Sequence, residues 1–201
     1  MEYFNDFNID TFKAKRPPRD NSMETFKEIN DINRIPIDKK FVEYNDDQEK
    51  VFKDVFKKYN IKFPDQLFKK LNNDSNPVIR KLKNYHNRTR PNGLASGFGM
   101  NVDVVEMNTA KTKSYPSGHS AQSRLFAKVF SDIYPKYKRD FMQAADNISK
   151  SRLIGKVHYP SDSQNGVELG DALYQHYKNQ KYVRTKNTVH SFRKFMSKFF
   201  G

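Results

Sequence analysis

Three short clusters carry residue types that could do chemistry together. Lys83 is followed by Arg90-Pro91, a second cluster reads Pro116-Ser117-Gly118-His119, and a third reads Ser151-Arg152, then His158 and Asp162. A phosphate monoester carries nearly two negative charges, so attack on it requires that charge to be neutralised and its oxygens held. Lys83, Arg90 and Arg152 supply three cations, and the two guanidinium groups can each take a pair of oxygens in a planar fork. Ser117 offers a hydroxyl. The backbone N–H groups of Gly118 and His119 fall at an expected helix start, where an anion is favoured, and Gly118 admits close backbone approach. Such an array could replace a metal ion in phosphoryl transfer.

The two histidines divide the remaining work. His158 must be neutral to attack phosphorus through one ring nitrogen. Asp162, four residues on, can accept a hydrogen bond from the other nitrogen, fixing the tautomer and stabilising the cation that forms. His119 begins protonated and donates to the leaving oxygen, which predicts a bell-shaped profile peaking at roughly pH 5–6.5. A plain N-terminal helix cap is the competing role for Asp162. His86, His176 and His190 fall outside the pattern and read as solvated or capping residues.

Helices must position these groups, because almost nothing in the chain alternates with a period of two. Residues 1–45 are polar, broken by Pro17-Pro18 and Pro36, and read as an irregular N-terminal arm packed on the core, with one short helix over Met23–Ile29. From Asp46 the pattern is helical: Val51, Phe52, Val55, Phe56 and Tyr59 recur at helix spacing behind Asp46 and Asp47, which suit an N-terminus. Pro64 and Pro77 are each expected to open a further helix, the second carrying Lys83 and ending at Arg90-Pro91. Residues 92–114 read as loop. Helices are then expected from about His119 to Tyr134, from Pro135 to Leu153, and from Pro160 towards Tyr177. The expectation is an all-α, single-domain helical bundle, with residues 46–180 as its core and 181–201 as a basic amphipathic C-terminal helix.

At 201 residues the chain is long enough for one core and a cleft, and 17 Phe with 11 Tyr can fill it. No apolar run spans a bilayer, and the first residues lack the basic start and apolar stretch of a secretory signal, so the sequence reads as soluble and cytoplasmic. Zero cysteine excludes disulfides, thiolate nucleophiles and Cys-ligated zinc. No metal or other cofactor is called for.

The net charge of +14 is uneven: Ala172–Gly201 contains seven Lys and Arg and no Asp or Glu. Within it Val189, Phe192, Phe195, Met196 and Phe199 form an apolar stripe opposite Arg193, Lys194 and Lys198. Residues 187–201 could dock on the core with a solvated basic face, or hold the protein peripherally on an anionic membrane. The charge would also suit nucleic acid, but no recognised nucleic-acid-binding signature is present, and no specific nucleic-acid partner is expected. An oligomer is compatible with the sequence.

The clusters together resemble the signature of the type 2 phosphatidic acid phosphatase superfamily, which includes acid phosphatases, membrane lipid phosphatases and vanadium haloperoxidases. Ser114-Tyr115-Pro116-Ser117-Gly118-His119 and the 39-residue step from His119 to His158 are similar in particular to the soluble bacterial class A acid phosphatases. The resemblance covers roughly Lys83 to Tyr177. Asn92 stands where an aromatic is common, and the basic tail has no identified counterpart. The resemblance implies the acid phosphatase/vanadium haloperoxidase type of helical fold and a phosphohistidine on His158. It further implies leaving-group protonation by His119 and phosphate binding by Lys83, Arg90, Ser117, Gly118 and Arg152. The substrate it implies is a small phosphorylated molecule such as a nucleotide or sugar phosphate. The alternatives are a phospholipid or diphosphate at a membrane surface, and halide oxidation with vanadate held by the same residues.

Overall fold

A computed structural model describes residues 3–200, with side chains described through Tyr182. Among the described residues, nine α-helices follow one another: α1 Asp10–Ala14, α2 Met23–Asn33, α3 Lys39–Asp46, α4 Gln48–Lys58, α5 Asp65–His86, α6 Pro91–Ala95, α7 Gly118–Ile133, α8 Lys138–Ile154 and α9 Pro160–Phe200. Short 3-10 turns sit at Ser96–Phe98 and Pro135–Tyr137, and the described residues contain no strand. The all-α expectation holds.

The central element is α7, which packs against α8 on one side and α9 on another. Its sequence makes this possible: Ala121, Leu125, Phe126, Ala127, Val129 and Phe130 are all buried, together with the small Ser120, Ser123 and Ser131. Phe52 and Phe56 of α4 meet Phe130 edge-on, with ring centroids at 5.5 and 5.1 Å. Each such buried ring contributes roughly 1.5–3 kcal/mol from apolar burial, and edge-to-face geometry adds to it. On α9, Gly166 and Gly170 make the close crossing over α7. A Cβ on Gly166 would fall 2.5 Å from the Ser117 carbonyl oxygen, and one on Gly170 would collide with that of Ala121.

Three parts of the sequence reading need correction. The N-terminal arm is not irregular with one short helix: α1, α2 and α3 all fall between residues 10 and 46. Ser22 and Asp38 start α2 and α3 by accepting from the N–H groups of Thr25 and Phe41, and Phe12, Ile29, Ile32 and Val42 are buried. Few apolar residues in a polar segment sufficed, because each faces the core.

Secondly, Pro77 does not open a helix; α5 runs through it from Asp65 to His86. An interior proline costs about 3 kcal/mol. It is tolerated here because Pro77 faces solvent while Phe68, Leu71, Val78, Ile79 and Leu82, on both sides of it, share one buried face. The helix ends before Arg90-Pro91, at Asn87 in the left-handed region (φ 51°) with its N–H on the Lys83 carbonyl.

Thirdly, residues 91–98 form α6 and a 3-10 turn rather than loop, with Pro91 as the first helical residue. The helix from Pro160 also does not stop near Tyr177; its backbone continues to Phe200. The expected apolar stripe from Val189 to Phe199, the basic face opposite it, and His190 have side chains outside the described ones.

Candidate active site

A cleft of about 580 Å³ opens where α5, α7 and the α3–α4 junction meet, and Lys83, Arg90, Gly118, His119 and His158 all line it. Ser117, Arg152 and Asp162 are fully buried; Asp162 bonds His158, the Ser117 N–H donates to the Asp162 carbonyl, and Arg152 pairs with Asp46, which also lines the cleft. All eight residues singled out from the sequence therefore converge on one place.

The convergence follows from the local backbone. At the end of α8 the Gly155 N–H caps back onto Ser151, and Lys156 turns the chain with φ 58°. The Val157 N–H then returns to the Arg152 carbonyl at 3.1 Å, bringing His158 back beside Arg152's turn. α9 begins two residues later. The Ser117 N–H donates to the Asp162 carbonyl at 3.0 Å, locking the start of α7 to the start of α9 where Gly166 lets the two approach.

His158 is buried, and its ring is held at both ends. Nδ1 lies 2.9 Å from Asp162 Oδ2, and Nε2 lies 3.5 Å from Arg90 Nη1. Since Asp162 accepts, Nδ1 carries the proton, leaving the Nε2 lone pair towards the cleft. Burial pushes His158 well below the ordinary histidine value. The hydrogen bond to Asp162 opposes this, and the charges of Lys83 and Arg90 add to it. Burial thus favours the neutral ring.

Asp162 does more than orient His158. Its Oδ2 also accepts from the Ser114 hydroxyl and, at 3.1 Å, from the Tyr159 N–H at the start of α9. The cap and the orienting role coexist in one carboxylate. Burial alone would raise Asp162, but the His158 contact, the Arg88 charge and Ser114 together hold it well below the usual carboxylate range.

Arg88 is the residue that the sequence reading missed most clearly. It is 2% exposed, donates to Asp162 Oδ1 at 2.7 Å, to Ser161 Oγ at 2.8 Å and to Glu28 Oε2 at 2.6 Å, and lies 3.7 Å over the Tyr159 ring. Glu28 belongs to α2 and also accepts from the Ser161 N–H at 2.7 Å. The N-terminal arm thereby braces the base of the site. Position 88, two before the Arg-Pro pair, was the only signal available in the sequence.

The cations are differently engaged. Lys83 is buried, with Nζ donating to the carbonyls of Lys113 and Ser114, the latter at 3.0 Å. Burial, reinforced by Arg90, pushes its ammonium down to about 7. Arg90 donates to the carbonyls of Thr112 at 2.7 Å and Val157 at 2.5 Å. Gly118 starts α7 with no bulk above it: a Cβ there would meet Ile79 Cγ2 at 3.4 Å and Lys83 Cε at 3.9 Å. Ser117 caps α7, its Oγ accepting from the Ser120 N–H and hydroxyl, so its own proton remains to be donated.

Arg152 and His119 share an unexpected partner. Asp46, read from sequence as part of a helix start, sends its carboxylate into the site: Arg152 Nη1 reaches Oδ1 at 2.5 Å, and the Thr109 hydroxyl donates to the same oxygen. Asp47 supplies the cap for α4, accepting from the Lys50 N–H. His119 Nε2 lies 3.1 Å from the Asp46 carbonyl oxygen and 3.4 Å from Oδ1. Burial and the Arg152 charge lower His119, while Asp46 opposes them. Arg152 Nε is buried without an acceptor among the described residues.

Two other histidines lie elsewhere. His86 Nε2 pairs with the Phe12 carbonyl at 3.0 Å and its ring packs on Tyr115, while His176 pairs with Asp6 at 3.1 Å.

This constellation can hold a dianion over a neutral imidazole, with a second imidazole beside it. Comparison with known proteins finds phosphatases. Over 89 residues the chain is 32% identical to the lipid A 1-phosphatase of Rhizobium etli, covering 44% of this chain and 38% of that protein. Over 88 residues it is 34% identical to the non-specific acid phosphatase of Salmonella typhi, covering 44% of this chain and 35% of that one. The matches thus span little more than a third of either relative. Residues 75–185, just over half of the chain, match the family model described as PAP2 superfamily. The segment holds all eight candidate residues, and the chain belongs to the PAP2 superfamily.

Proposed function

We propose that this protein hydrolyses phosphomonoesters through a covalent phosphohistidine on His158, without a metal ion. The observation that carries the reading is the bipolar tethering of His158: Nδ1 on Asp162 at 2.9 Å, and Nε2 turned to the cleft beside Arg90. Lys83, Arg90 and Arg152, with the N–H groups at the start of α7, hold the phosphate oxygens.

Nε2 of His158 attacks phosphorus, and the bond from phosphorus to the ester oxygen breaks. His119 transfers its proton to that oxygen, releasing an alcohol. A water molecule then gives a proton back to the now neutral His119 and attacks phosphorus, breaking the P–N bond and releasing phosphate. Asp162 stabilises the positive imidazole in between.

The similarity to lipid A 1-phosphatase supports a second substrate, a phosphorylated lipid. Among the described residues, no helix is long and apolar enough to cross a membrane.

The test is turnover of p-nitrophenyl phosphate at pH 6 with and without EDTA, alongside acid-quench trapping of labelled phosphoenzyme. Undiminished turnover in EDTA and a phosphoenzyme that disappears in His158→Ala are expected. Activity abolished by EDTA, or a labelled intermediate surviving in His158→Ala, would refute the mechanism.

A further inference from the structure

We infer that Glu28, on α2 of the N-terminal arm, is a positioning residue for the attack on phosphorus, acting on His158 through Arg88, Asp162 and the first turn of α9. The inference rests on the phosphohistidine reading and adds to it a residue upstream of the segment 75–185 that matches the family. The Glu28 side chain is 13% exposed, and both of its oxygens are engaged. Oε2 accepts from Arg88 Nη2 at 2.6 Å, and Oε1 accepts from the Ser161 N–H at 2.7 Å. The two contacts bracket Asp162. Arg88 grips its Oδ1, and Ser161 precedes it in the chain as the second residue of α9. The first N–H groups of a helix find no acceptor within it, so Glu28 caps α9 from another helix. Asp162 itself accepts from the Tyr159 N–H at 3.1 Å, and the two carboxylates hold one helix start between them.

Charge gives Glu28 a second task. Glu28, Arg88, Asp162 and His158 form a hydrogen-bonded row in which negative, positive and negative groups alternate before the imidazole. Among the described residues, the other groups that accept from Arg88 are the neutral hydroxyls of Ser161 and Thr25. Without Glu28 the whole guanidinium charge would fall on Asp162. A carboxylate so drained is a weaker acceptor for the His158 Nδ1–H, and the loss is greatest once phosphorylation makes the ring positive. That support matters because burial, Lys83 and Arg90 all oppose the charged form of His158. Glu28 is the counter-charge that lets Arg88 orient Asp162 without neutralising it. A purely structural bridge between α2 and α9 would need the shape of Glu28 but not its charge.

The experiment follows wild type, Glu28→Gln and Glu28→Asp, each checked for native circular dichroism. Rapid mixing with labelled p-nitrophenyl phosphate gives the rates at which the phosphoenzyme forms and breaks down, and inorganic phosphate supplies an inhibition constant. Asp31→Asn removes a charge from the exposed side of α2 and serves as control. Glu28→Gln should slow phosphoenzyme formation about tenfold, with phosphate inhibition unchanged and the control matching wild type. Its phosphoenzyme should break down at least as fast as that of wild type, because a less stabilised imidazolium is the better leaving group. Glu28→Asp keeps the charge one carbon short and should show the same split to a smaller degree; it carries the test alone if Glu28→Gln does not fold. Phosphoenzyme formation at the wild-type rate in folded Glu28→Gln would overturn the inference. So would Glu28→Asp slower than Glu28→Gln, or a parallel loss of phosphate binding and both rates, either of which marks a structural bridge alone. No phosphoenzyme in wild type would instead refute the phosphohistidine reading itself.

Discussion

Arg88 grips one oxygen of Asp162 at 2.7 Å while His158 Nδ1 holds the other at 2.9 Å, so one buried carboxylate joins a fixed cation to the proposed nucleophile. Asp162 facing His158 alone would tend to keep the imidazole charged and inert. With Arg88 on its far side, and Lys83 and Arg90 near the ring, the carboxylate orients His158 without protonating it. Arg88 is therefore a positioning residue. Arg88→Lys should retain the fold and lower kcat about tenfold with KM little changed, since one ammonium cannot reproduce the fork to Asp162, Ser161 and Glu28. Arg88→Met should cost about 3–5 kcal/mol of stability by leaving buried carboxylates uncompensated. Steady-state kinetics with thermal unfolding would check both, and full activity in Arg88→Met would contradict the assignment.

Asp162→Asn keeps the shape of the side chain but can present its amide nitrogen to His158, favouring the wrong tautomer. A drop in kcat on the order of 10³–10⁴ is expected, with circular dichroism unchanged.

Asp46 occupies Arg152, a residue the proposed mechanism needs for phosphate. Asp46→Asn should tighten inhibition by inorganic phosphate about five- to tenfold, because a neutral amide competes less for the guanidinium. The same change removes the negative partner that supports protonated His119, so the alkaline limb of kcat/KM should move to lower pH. Inhibition constants measured across pH 4.5–8 would show both effects; a shift of the limb to higher pH would be the wrong sign.

In the free enzyme kcat/KM should decline as pH rises from mildly acidic values, for two reasons. His119 is held below its ordinary value by burial and Arg152, and loses its proton early. Lys83, pushed down to about 7, then loses its charge near neutrality. A bound phosphate dianion stabilises both protonated forms, so the alkaline limb of kcat should lie at higher pH than that of kcat/KM. Coincident limbs would argue against either group contacting substrate.

The glycine crossing offers a stability test. Gly170→Ala forces a methyl group into the Ala121 carbonyl and should destabilise by about 1–3 kcal/mol with activity retained at low temperature. Gly166→Ala presses on Ser117, whose N–H meets the Asp162 carbonyl, and should lower kcat as well. Thermal melts and kinetics of the two variants separate the effects.

The spacing of polar clusters and the 3.6-residue recurrence of apolar side chains were enough to expect an all-α fold. They also singled out eight residues that the fold brings to one cleft, because the elementary needs of phosphate chemistry dictate residue types at short separations. The arm was legible only in part: α1 and α3 are short and polar, and they form because tertiary burial of a few side chains outweighs weak local preference. Pro77 misled for the same reason, since the core face on either side of it decides the helix. Asp46, Arg88 and Glu28 could not be placed from sequence, because an isolated charge carries no periodicity and gains its meaning only from what lies across the fold. Residue chemistry and helical period are written along the chain; which carboxylate sits against which cation is settled by packing, where burial makes each unpaired charge costly.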